Sequence, residues 1–233
     1  MRWGELALIK VSEENIKREK NALFTLEEVN SRKGYLITKR YMDVIGALVG
    51  LILLSPVFLI VAILIKYEDP KGTVLFKQVR IGKGGKEFYM YKFRSMVTDA
   101  EEKLKDLLEY NEVSGAMFKM KEDPRITKIG KFIRRTSIDE LPQLINVLQG
   151  EMSLVGPRPP LLREVKEYTS YDKQRLLVTP GCTGLWQVSG RSNLSFEQMV
   201  ELDVYYIIQR NIMFDIKILL RTVKVLLKSN DAY

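Results

Sequence analysis

Two adjacent carboxylates, Asp139 and Glu140, follow two adjacent arginines, Arg134 and Arg135, and precede the proline-bracketed segment Gly156-Pro157-Arg158-Pro159-Pro160. The chain has no histidine and one cysteine, Cys182. Ser-His-Asp and Cys-His catalysis, histidine general bases, His-ligated or Cys-based zinc sites and an intramolecular disulfide are therefore excluded. Chemistry falls to carboxylates, Lys, Arg, Ser, Tyr or an oxygen-ligated metal. An aspartate can attack phosphorus and form an acyl phosphate. Two carboxylates beside two arginines suit a magnesium ion and a pyrophosphate together. A rigid arginine loop suits a nucleotide or phosphate clamp. Acidic pairs also occur at Glu13-Glu14, Glu27-Glu28 and Glu101-Glu102. The ordinary reading of Asp139-Glu140 is the same, solvated acids favoured by a helix dipole; the flanking arginines and the Pro-Arg-Pro loop are what point beyond it.

The elements that must hold these groups are legible from capping and periodicity. Ser137-Ile138-Asp139-Glu140 has the Ser-x-x-Glu spacing of a capping box, predicting a helix to Leu148 that stops at Gly150. Residues 126–135 read as a helix with Ile129, Phe132 and Ile133 on one face. A second capping box, Thr98 to Glu101, opens a helix to about Tyr110. Val74, Phe76 and Val79, a glycine-rich turn over 81–86, and Phe88 to Phe93 predict a β-hairpin. Gly84-Gly85 is too little for a phosphate-binding loop. The C-terminal third is helical again.

Val44 to Ile65 is a run of 22 residues without a charge, roughly 33 Å as a straight helix, about the thickness of a bilayer core. It starts too late and runs too long for a secretory signal. Ser55-Pro56 lies at its middle, where proline removes an N–H and the serine hydroxyl can serve the freed carbonyl. Both flanks are basic, with Arg32, Lys33, Lys39 and Arg40 before the run and Lys66, Lys71, Lys77, Arg80, Lys83 and Lys86 after it, whereas a spanning helix favours one basic side. The residues alone leave spanning and re-entrant readings open, with a buried core helix as a lesser alternative.

The last helix carries Lys217, Arg221, Lys224 and Lys228 on one face and Leu219, Leu220, Val223, Leu226 and Leu227 on another, a pattern suited to an anionic membrane interface. Net charge is +8, from 37 Lys and Arg against 29 Asp and Glu, which calls for an anionic partner. The basic residues are spread along the chain without a nucleic-acid motif, so no nucleic acid is expected. One apolar segment makes an anchored protein, not a transporter.

Taken together, several segments resemble the bacterial sugar transferase family, the small monotopic phosphoglycosyl transferases. They are Lys39-Arg40 with Asp43, Ser55-Pro56, Tyr91-Lys92-Phe93-Arg94-Ser95-Met96, residues 134–143, Gly156-Pro157-Arg158-Pro159, residues 180–191, Leu202-Asp203-Val204-Tyr205-Tyr206 and Asp215-Ile216-Lys217. The resemblance covers about residues 36–228. It implies an α+β, mostly helical fold: a re-entrant helix-break-helix anchor at Ser55-Pro56, and a small cytosolic domain with a β-hairpin and interfacial helices. It implies transfer of a sugar-1-phosphate from a UDP-sugar to a polyprenyl phosphate, usually undecaprenyl phosphate, with release of UMP. Asp139 would be the nucleophile, and Glu140 the ligand of Mg2+. Lys92, Arg94, Arg134 and Arg191 would bind phosphates, with Pro157, Arg158 and Pro159 at the nucleotide end. The expected place is the cytoplasmic face of the bacterial inner membrane, against anionic lipid, at the first membrane step of exopolysaccharide, capsule or O-antigen assembly. A homodimer is left open.

The organisation expected is a polar extension over 1–35, the membrane helix over 36–66 and the catalytic domain over 67–233. The alternative function is a membrane-tethered scaffold or regulator of the same pathway that has lost catalysis.

Overall fold

A computed structural model describes residues 24–107, 120, 123–190 and 194–228. The chain is mostly helical, with helices α1 (Leu26–Asn30), α2 (Lys33–Glu68), α3 (Ala100–Leu107), α4 (Lys128–Arg135), α5 (Gln143–Gln149), α6 (Leu162–Lys166), α7 (Phe196–Gln209) and α8 (Ile212–Lys228). Strands β1 (Leu75–Ile81) and β2 (Glu87–Phe93) form the expected antiparallel hairpin, running from Leu75 opposite Phe93 to Ile81 opposite Glu87. Short strands β3 (Ser153–Val155) and β4 (Gly181–Thr183) pair in parallel. At three residues each, they carry too little period for sequence reading to find. Residues 16–29 have a sequence that could form a surface helix, and of them the described part holds 24–29, with α1. Its Val29 is 7% exposed and packs with Tyr206, Phe214 and Ile218, so this end of the extension belongs to the core.

The apolar run is one helix of 36 residues with Pro56 inside it. The expected helix-break-helix is replaced by continuous helical backbone, for a local reason. Proline lacks the N–H that would bond the carbonyl four residues back. That carbonyl belongs to Ile52, and the Ser55 hydroxyl donates to it at 2.8 Å. The side chain thus serves the acceptor that the proline abandons. The middle of α2 is bare, with Ile52 and Leu53 exposed by 69% and 71%.

Both ends of α2 are fastened to the same body. Near the start, Lys39 Nζ pairs with Asp215 at 3.0 Å, and Asp43 accepts from the Leu154 N–H at 3.0 Å. Arg40 donates to the carbonyls of Val147 and Leu148, and so caps the end of α5. Ala47 packs with Phe88, Met90, Val147 and Met152. Toward the other end, Val61 and Ile65 join Phe93 and Ile133, while the Phe58 ring stands edge-on to Phe93 at 5.1 Å. Glu68 then accepts the N–H groups of Lys128 and Ile129, capping α4. Each apolar side chain buried this way contributes roughly 1.5–3 kcal/mol.

The remaining core lies under α7 and α8, where Leu202, Tyr206 and Ile218 pack on Val155, Leu185 and Trp186. Tyr206 also donates to Asp215 at 2.7 Å. On α8, Phe214 and Ile218 face inward, Lys217 and Lys224 are exposed, and Leu220 and Val223 stand 63% and 55% exposed. The amphipathic pattern therefore leaves an apolar strip uncovered beside cations; the side chains of Leu227 and Lys228 lie outside the described part. On α4, Ile129 and Ile133 point inward four residues apart, but Phe132 is 46% exposed, because its place on an eight-residue helix falls at the edge of that face. The helix expected from Thr98 to Tyr110 appears as α3, and its residues 108–110 lie outside the described part.

Candidate active site

The Asp139 turn is suspended between α4 and α5. Thr127 caps α4 by accepting the Gly130 N–H at 2.9 Å, and Arg134 and Arg135 fall in its last turn, where the dipole favours cations. Ser137 then adopts φ 57°, ψ 18°, the left-handed region. An N-cap needs extended backbone, so the expected capping box at Ser137 does not form and its side chain makes no cap bond. Instead Ile138–Glu140 makes one turn of 3-10 helix, and α5 begins only after Pro142. This reversal turns Asp139 inward, to 8% exposure. Gly150, at φ 84°, ends α5 as the sequence predicts.

Strand β2 brings Lys92 to this turn. Phe88 and Met90 alternate into the core, and Lys92, next in the same register, faces Glu140 with Nζ to Oε1 at 2.7 Å. Asn146, fully buried on α5, locks the two elements in register: its carboxamide oxygen accepts from Tyr91 N–H at 3.0 Å and its nitrogen donates to the Tyr89 carbonyl at 2.7 Å.

The Gly156–Pro160 loop follows β3. A side chain at Gly156 would stand 2.6 Å from the Thr179 carbonyl oxygen, and one at Gly181 would strike Gly156; only glycine lets the two loops touch. The Gly181 N–H bonds the Pro157 carbonyl at 2.8 Å, and Arg80, 4% exposed, donates to the Pro159 carbonyl at 3.0 Å. Arg158 itself is exposed. Arg80, Lys92, Glu140, Gln143, Arg158 and Pro159 line one narrow cleft. Its free volume is about 10 Å³, room for about one water, so a larger ligand enters only with movement of its wall.

Environment drives the two carboxylates apart. Burial pushes the Asp139 carboxyl up to about 6; Lys92 and Arg134 oppose the rise and Glu140 adds to it. Burial also opposes charge on Glu140, but Lys92, Arg158 and Arg80 outweigh it and hold that carboxyl down at about 2. One acid is thus a basic, shielded carboxylate, and its neighbour stays ionised through the whole neutral range. Such divergence between neighbouring carboxylates marks sites where they take different chemical roles.

Of the residues singled out in sequence, Asp139, Glu140, Lys92, Arg134 and the Pro157-Arg158-Pro159 loop converge. Arg134 Nε is anchored on Ser95 Oγ at 2.9 Å. Arg94 is turned to the Thr73 carbonyl and hydroxyl, at 2.8 and 2.6 Å. Arg191 lies outside the described residues. Ser55 and Pro56 stay in the apolar helix. Sequence reading missed Arg80, Gln143 and Asn146. Arg80 stood only among the basic residues after the apolar run, and its signal was a charge at the end of a predicted strand.

A sequence model of the family described as "Bacterial sugar transferase" matches residues 34–229. The galactosyl transferase CpsE of Streptococcus agalactiae serotype III (strain NEM316) is 52% identical over 199 residues, covering 85% of this chain and 44% of that protein. The undecaprenyl-phosphate galactose phosphotransferase of Salmonella typhimurium is 41% identical over 215 residues, covering 91% of this chain and 45% of that one. The exopolysaccharide production protein ExoY of Sinorhizobium fredii is 38% identical over 201 residues, covering 84% and 88%. The chain thus spans less than half the length of the first two relatives and most of the third. With a match over residues 34–229, which contain the Asp139 turn, Lys92 and the Pro-Arg-Pro loop, the chain belongs to the bacterial sugar transferase family.

Proposed function

We propose that this chain transfers a sugar-1-phosphate from a UDP-sugar to a polyprenyl phosphate such as undecaprenyl phosphate, releasing UMP. The observation that carries the proposal is the buried Asp139 carboxylate, raised to about 6, beside a Glu140 held ionised by Lys92, Arg158 and Arg80. An Asp139 oxygen attacks the β-phosphorus of the donor. The bond from that phosphorus to the bridging oxygen breaks, and UMP leaves with the oxygen. The acyl phosphate on Asp139 is then attacked by an oxygen of the lipid phosphate, which takes the sugar phosphate and frees the carboxylate. Lys92, Arg134 and Arg158 bind the phosphates and spread their charge.

Magnesium fits this donor set. Mg2+ commonly takes one or two carboxylates and fills its shell with water and substrate phosphate oxygens. Glu140, ionised and only partly covered, supplies such a ligand, with its side chain 37% exposed. When bound there, the ion would neutralise the pyrophosphate and ease departure of UMP.

The acceptor's tail cannot leave the bilayer, so the carboxylates must work at headgroup depth. We read α2 as re-entrant, its continuous backbone bent at Pro56 so that it enters and leaves at the cytoplasmic face of a bacterial plasma membrane, with α8 lying in the interface. Support comes from the two ends of α2, which touch the same body while its middle is bare. In this reading the reaction begins exopolysaccharide, capsule or O-antigen assembly.

The test is UMP release by purified full-length protein with undecaprenyl phosphate and magnesium, across a panel of UDP-sugars led by UDP-galactose, the sugar in two of the relatives' names. Release with one donor, lost in Asp139→Asn and with EDTA, is the expected result. Release that persists in Asp139→Asn would overturn the assignment.

A further inference from the structure

A larger cavity lies away from Asp139, at the root of α2, with a volume of about 120 Å³. Four cationic side chains line it, Lys39, Arg40, Lys83 and Arg210, against one carboxylate, Asp43. Lys39 pairs with Asp215, and Asp43 accepts from the neutral Leu154 N–H, so its charge offsets one of the remaining three cations and leaves an excess. The other three cations donate only to neutral oxygens among the described residues, although Arg210 also stands over the Tyr35 ring at 5.5 Å and feels the Asp215 carboxylate. Arg40 donates to the Val147 and Leu148 carbonyls, Lys83 to Asn30 Oδ1 at 2.8 Å, and Arg210 to the Val29 carbonyl. Arg210 is 5% exposed and Lys83 is half-buried, whereas Arg40 is exposed and keeps its charge in water. Carbonyl and amide oxygens satisfy N–H groups, but they do not cancel a formal charge taken out of water, which costs several kcal/mol per ion when left uncompensated. Burial, and after it the charge of Arg210, hold the Lys83 ammonium below its ordinary range. Two cations thus share this space, with Asp43 the one carboxylate in the lining.

The three cations come from separate parts of the fold: the start of α2, the hairpin turn and the junction between α7 and α8. No local sequence requirement brings them together. Lys39, Arg40 and Asp43 immediately precede Val44, the first residue of the uncharged run. We infer that this cavity is a second anion site, separate from the Glu140 cleft, which takes a phosphate group against Lys83 and Arg210, with the exposed Arg40 beside them. A phospholipid headgroup and a free phosphate ion share that chemistry. The site itself is independent of the proposed transfer reaction; only the headgroup source rests on α2 being inserted in a membrane.

The experiment uses the full chain in two preparations. In nanodiscs containing phosphatidylglycerol, native mass spectrometry counts the lipids retained per chain. In neutral detergent with no added lipid, calorimetric titration measures binding of inorganic phosphate. One retained phosphatidylglycerol identifies a headgroup site, and saturable phosphate binding without lipid identifies a soluble-anion site. In either case Lys83→Ala and Lys83→Glu should weaken binding by about tenfold or more, the loss expected for one charge-assisted contact. Lys83→Arg should restore it. Asn30→Ala, which removes the same hydrogen bond but no charge, should bind as the parent does, and so should Asp139→Asn. Thermal melts of all five variants establish that each is folded. Binding unchanged in folded Lys83→Glu, binding lost in Asp139→Asn, or no binding of either probe by the parent would overturn the inference.

Discussion

The Glu68 carboxylate, on the last residue of α2, accepts the backbone N–H groups of Lys128 and Ile129 at 2.7 and 2.9 Å. At the opposite end of the same helix, Arg40 donates to the last carbonyls of α5. The Asp139 turn hangs between α4 and α5, so the apolar helix caps both elements that carry the candidate nucleophile. Acid at a helix start and base at a helix end are the favourable polarities. Both caps come from residues far away in sequence.

Removal of the first cap should be felt at the turn. Glu68→Ala is expected to cost about 1 kcal/mol of stability and to lower UMP release, while Glu68→Gln keeps part of each. Thermal unfolding and turnover measured side by side check this. Identical melting and turnover in Glu68→Ala would show that α4 is held by Thr127 and packing alone.

Turnover should rise with pH through about 6, because only the ionised Asp139 can attack and its carboxyl titrates there. Glu140, down at about 2, stays charged across that range and contributes no step of its own. A kcat/KM profile, taken with the donor well below saturation, reads the free protein's value. A flat profile from pH about 5 to 8 would contradict the burial argument.

The same shift fixes a stability effect of opposite sense. The carboxyl titrates at 3.8 ordinarily and at about 6 when folded. The folded chain therefore holds the proton more tightly, and stability from this group is full below the lower value and lost as pH rises through the higher. Above about pH 6, Asp139→Asn should melt higher than the parent, by ~1–2 kcal/mol of stability, while losing turnover. A lower melting point would mean that the Asp139 charge is compensated.

Ser137 is a non-glycine residue with positive φ, at 57°, a conformation that costs about 1 kcal/mol. Ser137→Gly should relieve that cost in the folded state and loosen the turn that aims Asp139. The expected result is a change in kcat larger than any change in melting temperature. A kcat equal to the parent's would show that Pro142 and Asn146 suffice to hold the turn.

Topology is testable with single cysteines in a Cys182→Ser background. Ile37→Cys and Tyr67→Cys place thiols at positions 59% and 87% exposed, on either side of the apolar run. An impermeant reagent should label both from the cytoplasmic side only. Labelling from opposite sides would make α2 a spanning helix.

Much of this arrangement was legible because it rests on local rules. The hairpin shows in alternation around a glycine turn, Gly150 in its helix stop, and the role of Ser55 in the missing N–H of Pro56. Where sequence reading failed, a distant contact had prevailed over a local signal. Ser137 carries the spacing of a cap, yet its backbone is turned left-handed so that Asp139 can be buried against β2. Arg80 reads as one more flanking base until β1 lies against the Pro159 carbonyl. Asn146 gives no signal in its own helix, because both of its backbone partners lie on β2.

The fastenings at the two ends of α2 bear on modularity. An anchor joined by a linker can be cut away or exchanged for another hydrophobic segment without loss to the domain it tethers. Here Lys39, Asp43, Ala47, Val61, Ile65 and Glu68 are also parts of the domain: they neutralise Asp215, fill two clusters of the core and cap a helix. A chain shortened to begin after residue 68 would lose walls of its own interior along with its tether. Grafting the Asp139 turn onto another apolar helix would require that helix to supply the same six side chains at the same spacing.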